Sequence, residues 1–454
     1  MFQTYSTNHY GDENSYNGFY VECPVFGGNV AFNMAEPFEK MMVEVFNEPE
    51  IVRMLNKPQL AFIQHKLIGT HHTRLVHVIG TLGLMRTAIY RSKINSGMTW
   101  SRAAKFTKKE QATIAASGLH DIGQTFPGHP FDFAMEELFP DTFQGHEKAG
   151  LEIIRNSRIK DILNSYSTGF ADMVLAVMAE DDLKNNVWQQ LLAGNLNMDT
   201  FNYLALDQKH MPTRDEASFL VRSVVENIKI KGNKLILPAG QANAFQMLLE
   251  MRGKMYSEVY WNGFPQAAGI GFFHILMKQI SDKLNHPKYA CTLKSINNPY
   301  INFIASKGRL LGDYTELTDG NFTMLISQLA KSQIPELSKT AAAYENIAAN
   351  FKAINIYSGD AKYAPSDKDL LQVKEIVEQS GGVYKNLQCQ IYKTKKPEVY
   401  IDDRNRKLQK FSEYCPGIAD KSARNISALF MYKRNLDQIM DRLERIIPLP
   451  TQER

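Results

Sequence analysis

Between residues 73 and 90, Leu75, Ile79, Leu82, Met85 and Ile89 recur at steps of three and four, the stripe by which a helix buries one face. A chain built round such a stripe must pack helix on helix. Thr107 and Glu110 stand at capping-box spacing, where each side chain satisfies an orphan amide of the first turn, and Ile114, Ala115, Gly118 and Leu119 follow. This second helix ends on His120-Asp121. Between residues 121 and 142, three prolines and two glycines among aromatics predict a loop or broken helix hugging a site. The mostly helical texture runs from about 36 to 280. After about 290 it changes, and 388–392, 397–401 and 426–432 read as short strands. The expected architecture is mainly α, with a helical core over 36–290 and a smaller mixed α/β C-terminal lobe over 291–454. Residues 1–35, rich in Asn, Gly, Tyr and Ser, read as an N-terminal arm.

With 454 residues, 44% of them hydrophobic and 22% charged, the chain can bury a sizeable core and is neither disordered nor collagen-like. Its 52 Lys and Arg against 48 Asp and Glu leave a formal charge of +4, too little to mark a nucleic-acid binder as a whole. The excess is local: residues 385–435 hold twelve Lys and Arg against five Asp and Glu. A solvated face, nucleotide phosphates or single-stranded nucleic acid would each account for it. Cys23, Cys291, Cys389 and Cys415 lie far apart without a CxxC pair, so neither a zinc ribbon nor a disulfide scaffold is expected, and a reducing cytoplasm suits them. No run of about 18 apolar residues appears and the N-terminus lacks signal-peptide sections, so neither membrane insertion nor export is expected.

His120-Asp121 offers an imidazole and a carboxylate at one helix end. Alone the doublet means little, but His77 lies on the first helix and His129, Asp132 and His146 follow closely. Two imidazoles and two carboxylates give a divalent ion mixed N/O ligation, leave positions for water and cancel its charge, so a second carboxylate is required. Asp199, Tyr203 and Asp207 stand at i, i+4 and i+8 and share one helix face; Arg252, Tyr256 and Tyr260 do the same on another. The bland alternative for both is a polar face meeting bulk water.

The order His…His-Asp…Asp resembles the HD-domain phosphohydrolases, and in particular their deoxynucleoside triphosphate triphosphohydrolase branch, which includes dGTPases and a vertebrate antiviral dNTPase. The resemblance lies in Gln59-Leu60, in Gly69-Thr-His-His-Thr-Arg74-Leu-Val-His77, in His120-Asp-Ile-Gly-Gln-Thr-Phe-Pro-Gly-His129-Pro-Phe-Asp132, in Gly145-His146-Glu and in Asp199-Thr-Phe-Asn-Tyr203-Leu-Ala-Leu-Asp207. It spans roughly residues 45–265, with a weaker echo in the C-terminal lobe. It implies an HD-domain helical core over 36–290. His77, His120, Asp121 and Asp199 would hold one divalent ion, with Mn, Mg, Fe, Co, Ni and Zn not distinguished. His129 and Asp132 would form an acid/base pair, with His146 neutralising phosphate charge. Arg74 and Arg252 would bind phosphate, Gln59 and Asp207 the sugar 3′-hydroxyl, Tyr203 and Tyr260 would close beneath the ribose, and Leu60 and Tyr256 would line the substrate pocket. The implied reaction converts a dNTP, dGTP among the candidates, to deoxynucleoside and triphosphate.

Departures accompany the match. Gln124 stands where the family has a histidine, Thr200 where the vertebrate enzyme has a phosphate-binding lysine, and Tyr256 where that enzyme has a histidine. Asn47 and Leu55 replace the Asp and Arg that read guanine in its activator site, so regulation by that nucleotide is not carried over; another nucleotide effector is allowed. The resemblance implies a homo-oligomer, tetramer or hexamer. Two alternatives stand beside this reading: an HD enzyme acting on another nucleotide phosphoester, and a nucleotide-sensing or nucleic-acid-binding module with a vestigial site. His65, His71 and His72 receive no role.

Overall fold

The computed structural model describes residues 21–23, 28–65, 70–209, 216–261, 266–309, 312–393, 396–403, 408–430 and 437–447. Most of the 1–35 arm lies outside them. The fold is mainly α, as its periodicities predict, with small sheets at the periphery. The Arg74–Asn95 helix is the central strut: Leu75, Ile79, Leu82, Met85 and Ile89 are all buried, and the Lys108–Leu119 helix packs along it. Thr107 and Glu110 complete the expected capping box, at 3.3 Å and 2.7 Å. No helix among the described residues is long and apolar enough to cross a membrane.

Strands are β1 (Val21–Cys23), β2 (Gly28–Val30), β3 (Lys229–Lys231), β4 (Lys234–Pro238), β5 (Lys352–Asp360), β6 (Val383–Gln390), β7 (Val399–Asp402), β8 (Leu408–Lys410) and β9 (Ser422–Phe430). β6, β7 and β9 fall on the three expected strands, with residues 431 and 432 outside the described ones. The β3–β4 hairpin departs from the helical reading of 36–280. Its signal is local: Lys231 and Lys234 pair across a two-residue Gly232-Asn233 turn, and Gly232 adopts φ 59°, a conformation open to glycine. β4 then pairs in parallel with β7, matching Leu235 to Val399 and Leu237 to Ile401. The second sheet runs β5-β9-β6, antiparallel throughout, under the Asp367–Gln379 helix.

Two large apolar clusters flank the site. One joins the Arg74–Asn95 and Lys108–Leu119 helices to Ile391, Tyr392, Val399, Ile401 and Phe411 near the C-terminus. The other gathers Phe131, Phe273, Tyr300, Tyr314 and Phe322, so residues on both sides of 290 share one core.

Candidate functional site

Local structure explains how each side chain arrives. Thr73 caps the first helix by accepting from Val76 N–H, which sets Arg74 in the first turn and His77 one turn on. Backbone bonds from Gln59 N–H to the His72 carbonyl and from Arg74 N–H to the Lys57 carbonyl bring Gln59 alongside. The turn after His120 is pinned by two cations that bond its backbone carbonyls. Lys57 Nζ donates to the Gln124 carbonyl at 2.7 Å, and Arg53 donates to the carbonyls of Gln124 and Ile122. A Cβ on Gly123 would stand 2.0 Å from the His146 carbonyl oxygen, so only glycine lets this turn meet the His146 helix. Asn197 caps the Met198–Lys209 helix by accepting from Thr200 N–H at 2.7 Å, and that helix delivers Asp199.

His77, His120 and Asp199 converge. The two Nε2 atoms are 3.3 Å apart, and Asp199 Oδ1 lies 3.1 Å from His77 Nε2 and 3.3 Å from His120 Nε2. Each ring has committed its other nitrogen: His77 Nδ1 donates to Asn202 Oδ1 at 2.9 Å, and His120 Nδ1 donates to the Ser117 carbonyl at 2.8 Å. In neutral rings both Nε2 lone pairs therefore face one another and a carboxylate, an arrangement that requires a cation between them. A proton is one such cation. Burial alone would lower the His120 pKa, but Asp121 and Asp199 raise it to about 9. A divalent metal fits the same donors, since neutral imidazoles oriented by second partners and a carboxylate are its usual ligands.

Asp121 stands one step outside that trio. Its Oδ2 accepts from Arg74 Nη1 at 2.6 Å, while the imidazoles of His77 and His120 are 3.8 Å and 3.7 Å away. Burial pushes the Asp121 carboxyl up, but His120, Arg74, His77 and His146 reverse this and hold it well below the usual carboxylate range. His146 joins from the neighbouring helix, its Nε2 3.8 Å from Asp121 Oδ1. Its Nδ1 lies 2.7 Å from Asp132 Oδ2, closer than His129 Nδ1 at 3.4 Å. The i, i+3 spacing pairs Asp132 with His129, yet the tighter partner comes from another helix, because His146 is buried beside Asp132 and His129 is exposed. Burial lowers the His146 pKa, but Asp132 outweighs it and raises the value to about 9.

These groups open on a cavity of about 820 Å³, within the range of small-ligand sites. Gln59, Leu60, Arg74, His77, His120, Asp121, His129, His146, Asp199, Tyr203, Asp207, Arg252, Tyr256 and Tyr260 all line it. Of the residues singled out by sequence, Asp132 alone stands behind the wall. Away from the histidines, Asp207 accepts from His72 Nε2 at 2.7 Å and from the Tyr260 hydroxyl. The Arg252 Nε–H donates to the Tyr203 hydroxyl at 3.3 Å, and its guanidinium lies 5.6 Å from the Tyr256 ring. Burial raises the phenols of Tyr203 and Tyr260 well above their ordinary values, so both remain neutral. The buried Gln59 Oε1 finds no hydrogen-bond partner among the described residues.

Sequence reasoning missed several parts. His72, given no role, is buried and orients Asp207; Asn202 orients His77; and Lys393 and Lys396 of the basic C-terminal stretch line the cavity. Asn202 had a signal, three residues beyond Asp199 on the same helix. The others depend on contacts across more than a hundred residues. Lys395, Arg404, Arg406, Lys407, Lys433 and Arg434 of that stretch lie outside the described residues.

No curated protein matches the sequence. Crystal structures that share its fold include a phosphohydrolase from Bacteroides thetaiotaomicron VPI-5482, 16% identical, TM-score 0.66, covering 91% of this chain and 99% of that one, and a hypothetical protein from Aquifex aeolicus, 16% identical, TM-score 0.65, covering 94% and 98%. Residues 74–192 match the HD domain, a span that holds His77, His120, Asp121, His129, Asp132 and His146 and ends before Asp199. The chain carries an HD domain over those residues, set within a larger, mainly helical fold.

Proposed function

We propose that this chain is a metal-dependent phosphohydrolase that cleaves a deoxynucleoside triphosphate at the α-phosphorus, giving deoxynucleoside and triphosphate. The observation that carries this reading is the pair of Nε2 lone pairs, 3.3 Å apart and facing Asp199, at the edge of a nucleotide-sized cavity. His77, His120 and Asp199, with Asp121 beside them, would hold the ion. The chemistry a divalent ion supplies in such a place is charge neutralisation and polarisation of a phosphoryl oxygen.

The chain's own residues do the rest. His146, cationic at neutral pH, faces the same end and offsets phosphate charge. Arg74 presents a planar guanidinium that can bind two phosphoryl oxygens. His129 is exposed with Nδ1 toward Asp132, leaving Nε2 to deliver a proton to the departing 5′-oxygen. Asp207, fixed by His72 and Tyr260, and Gln59 Oε1, which has no partner among the described residues, offer acceptors for a sugar 3′-hydroxyl. Tyr203 and Tyr260, with ring centroids 6.4 Å apart, would narrow the floor where a 2′-hydroxyl would stand.

The test is to incubate the purified chain with each dNTP alone and in pairs, with Mn or Mg, and to identify the products by chromatography. Deoxynucleoside plus triphosphate is expected, and the pairs test for a nucleotide effector. Release of orthophosphate or diphosphate would replace this reading with another phosphoester chemistry. Absence of turnover in every mixture, with metal bound, would leave a vestigial site.

A further inference from the structure

After β6 the chain does not leave the site. Ile391 N–H donates to the Lys421 carbonyl, and the next turn lays Lys393 against the loop that leads into the Asp199 helix. There one side chain grips its backbone from both sides. Lys393 N–H donates to Asn195 Oδ1 at 2.8 Å, and Asn195 Nδ2 donates to the Lys393 carbonyl at 3.1 Å. Asn195 is 5% exposed, so this is a buried clamp that fixes the position of one lysine. Lys396 is anchored separately, its Nζ donating to the Ala193 carbonyl and lying 3.7 Å from Glu180 Oε2.

Lys393, Lys396 and Arg252 line the cavity together. Among the described residues, no hydrogen bond or ion pair reaches Lys393 Nζ, and Arg252 has the Tyr203 hydroxyl but no carboxylate. Burial, the Arg252 guanidinium and Lys396 together push the Lys393 ammonium down to about 8, and the opposing pull of Cys389 and of Glu180, which lies 3.7 Å from Lys396 Nζ, does not offset them. Holding like charges together is unfavourable in an empty pocket and becomes favourable when a multiply charged anion enters. Thr200, on the helix that carries Asp199, adds no charge to this wall.

We infer that Lys393, clamped by Asn195 and paired with Arg252, forms the seat for the oligophosphate tail of the substrate, so that the C-terminal segment completes the binding site. This deepens the phosphohydrolase reading and rests on it for the identity of the substrate, but the seat can be assayed without turnover. Inorganic tripolyphosphate is titrated calorimetrically into the 454-residue chain without added metal. Lys393→Met is expected to weaken binding about 10-fold or more, the effect of losing a charge-assisted hydrogen bond. Lys393→Arg should restore most of it, and Lys374→Met, on the exposed face of a distant helix, should leave it unchanged. Asn195→Ala keeps both lysines and should weaken binding in the same direction. Unchanged thermal midpoints separate these effects from misfolding. Equal tripolyphosphate binding by wild type and Lys393→Met, or none by wild type, overturns the seat. A chain that binds tripolyphosphate through Lys393 but cleaves no dNTP keeps the seat and loses the substrate assignment. Cleavage of dNTPs with an unaltered KM in Lys393→Met does the reverse.

Discussion

The tautomers of His77 and His120 are set by what lies behind them, and this makes Asn202 and Gly80 part of the proposed cation site without touching it. Asn202 can accept from His77 Nδ1–H only by coming close to the first helix, and Gly80 is what permits that approach: a Cβ there would stand 2.6 Å from Asn202 Nδ2. Gly80→Ala should therefore push Asn202 away, free the His77 ring to rotate and cost about 10–100-fold in Mn affinity. Titration against a competing chelator measures it; unaltered affinity with unaltered stability would show that Asn202 does not orient the ring. The converging trio of His77, His120 and Asp199 was legible because residue type, order and helical spacing single these residues out. Asn202 and His72 were not, since an Asn or His becomes an orienting group only through a partner on another segment. His72 meets Asp207 across 135 positions, a contact that no local pattern encodes.

At the level of elements, the helix His129–Leu138 is held from behind as well as in front. Its Glu137 receives Lys385 from β6 at 2.9 Å and His274 at 3.3 Å. The His274 hydrogen bond, against the upward pull of burial and with the help of Lys385, lowers the Glu137 pKa to about 2. A carboxyl whose folded pKa lies below its ordinary 4.5 stabilises the fold above that pH, and its contribution disappears as the pH falls through 4.5 toward 2. Glu137→Gln should thus lower the thermal midpoint at pH 7 and flatten its decline between about pH 4.5 and 2. Because Glu137 is half exposed, the effect should be small and should shrink in high salt, which a pH series of melting curves at two ionic strengths would reveal. Element types were readable where a period or a cap was strong, as in the helix that Thr107 caps. The β3–β4 hairpin went unread although Gly232-Asn233 signals it, because three- and five-residue strands give a period too short to stand out from the helices around them.

For the whole molecule, the parallel pairing of β4 with β7 ties residues 235–238 to residues 399–402 and sets Ile391, Tyr392, Val399, Ile401 and Phe411 among the helices that carry His77 and His120. A change of texture along a chain marks a change of secondary structure; it does not say which core the later segment joins. A chain ending at residue 290 would expose β4, whose Leu235, Ile236 and Leu237 are buried, along an unpaired edge. It would also lose the Tyr300, Tyr314 and Phe322 side of the core around Phe131. Such a fragment is expected to aggregate or melt without cooperativity, whereas the intact chain gives a transition in which the site and the C-terminal strands unfold together. The point version is Ile401→Ala, which removes a fully buried side chain and should cost about 2–5 kcal/mol. If the coupling is as drawn, that substitution, made with Trp100→Phe and Trp261→Phe so that Trp188 alone reports, lowers the midpoint seen by tryptophan fluorescence as much as the midpoint seen by far-ultraviolet dichroism, since Trp188 packs against the same core. Two separated transitions, with only the later-sequence strands shifted, would mean that the C-terminal segment folds as an independent unit and reaches the site by docking.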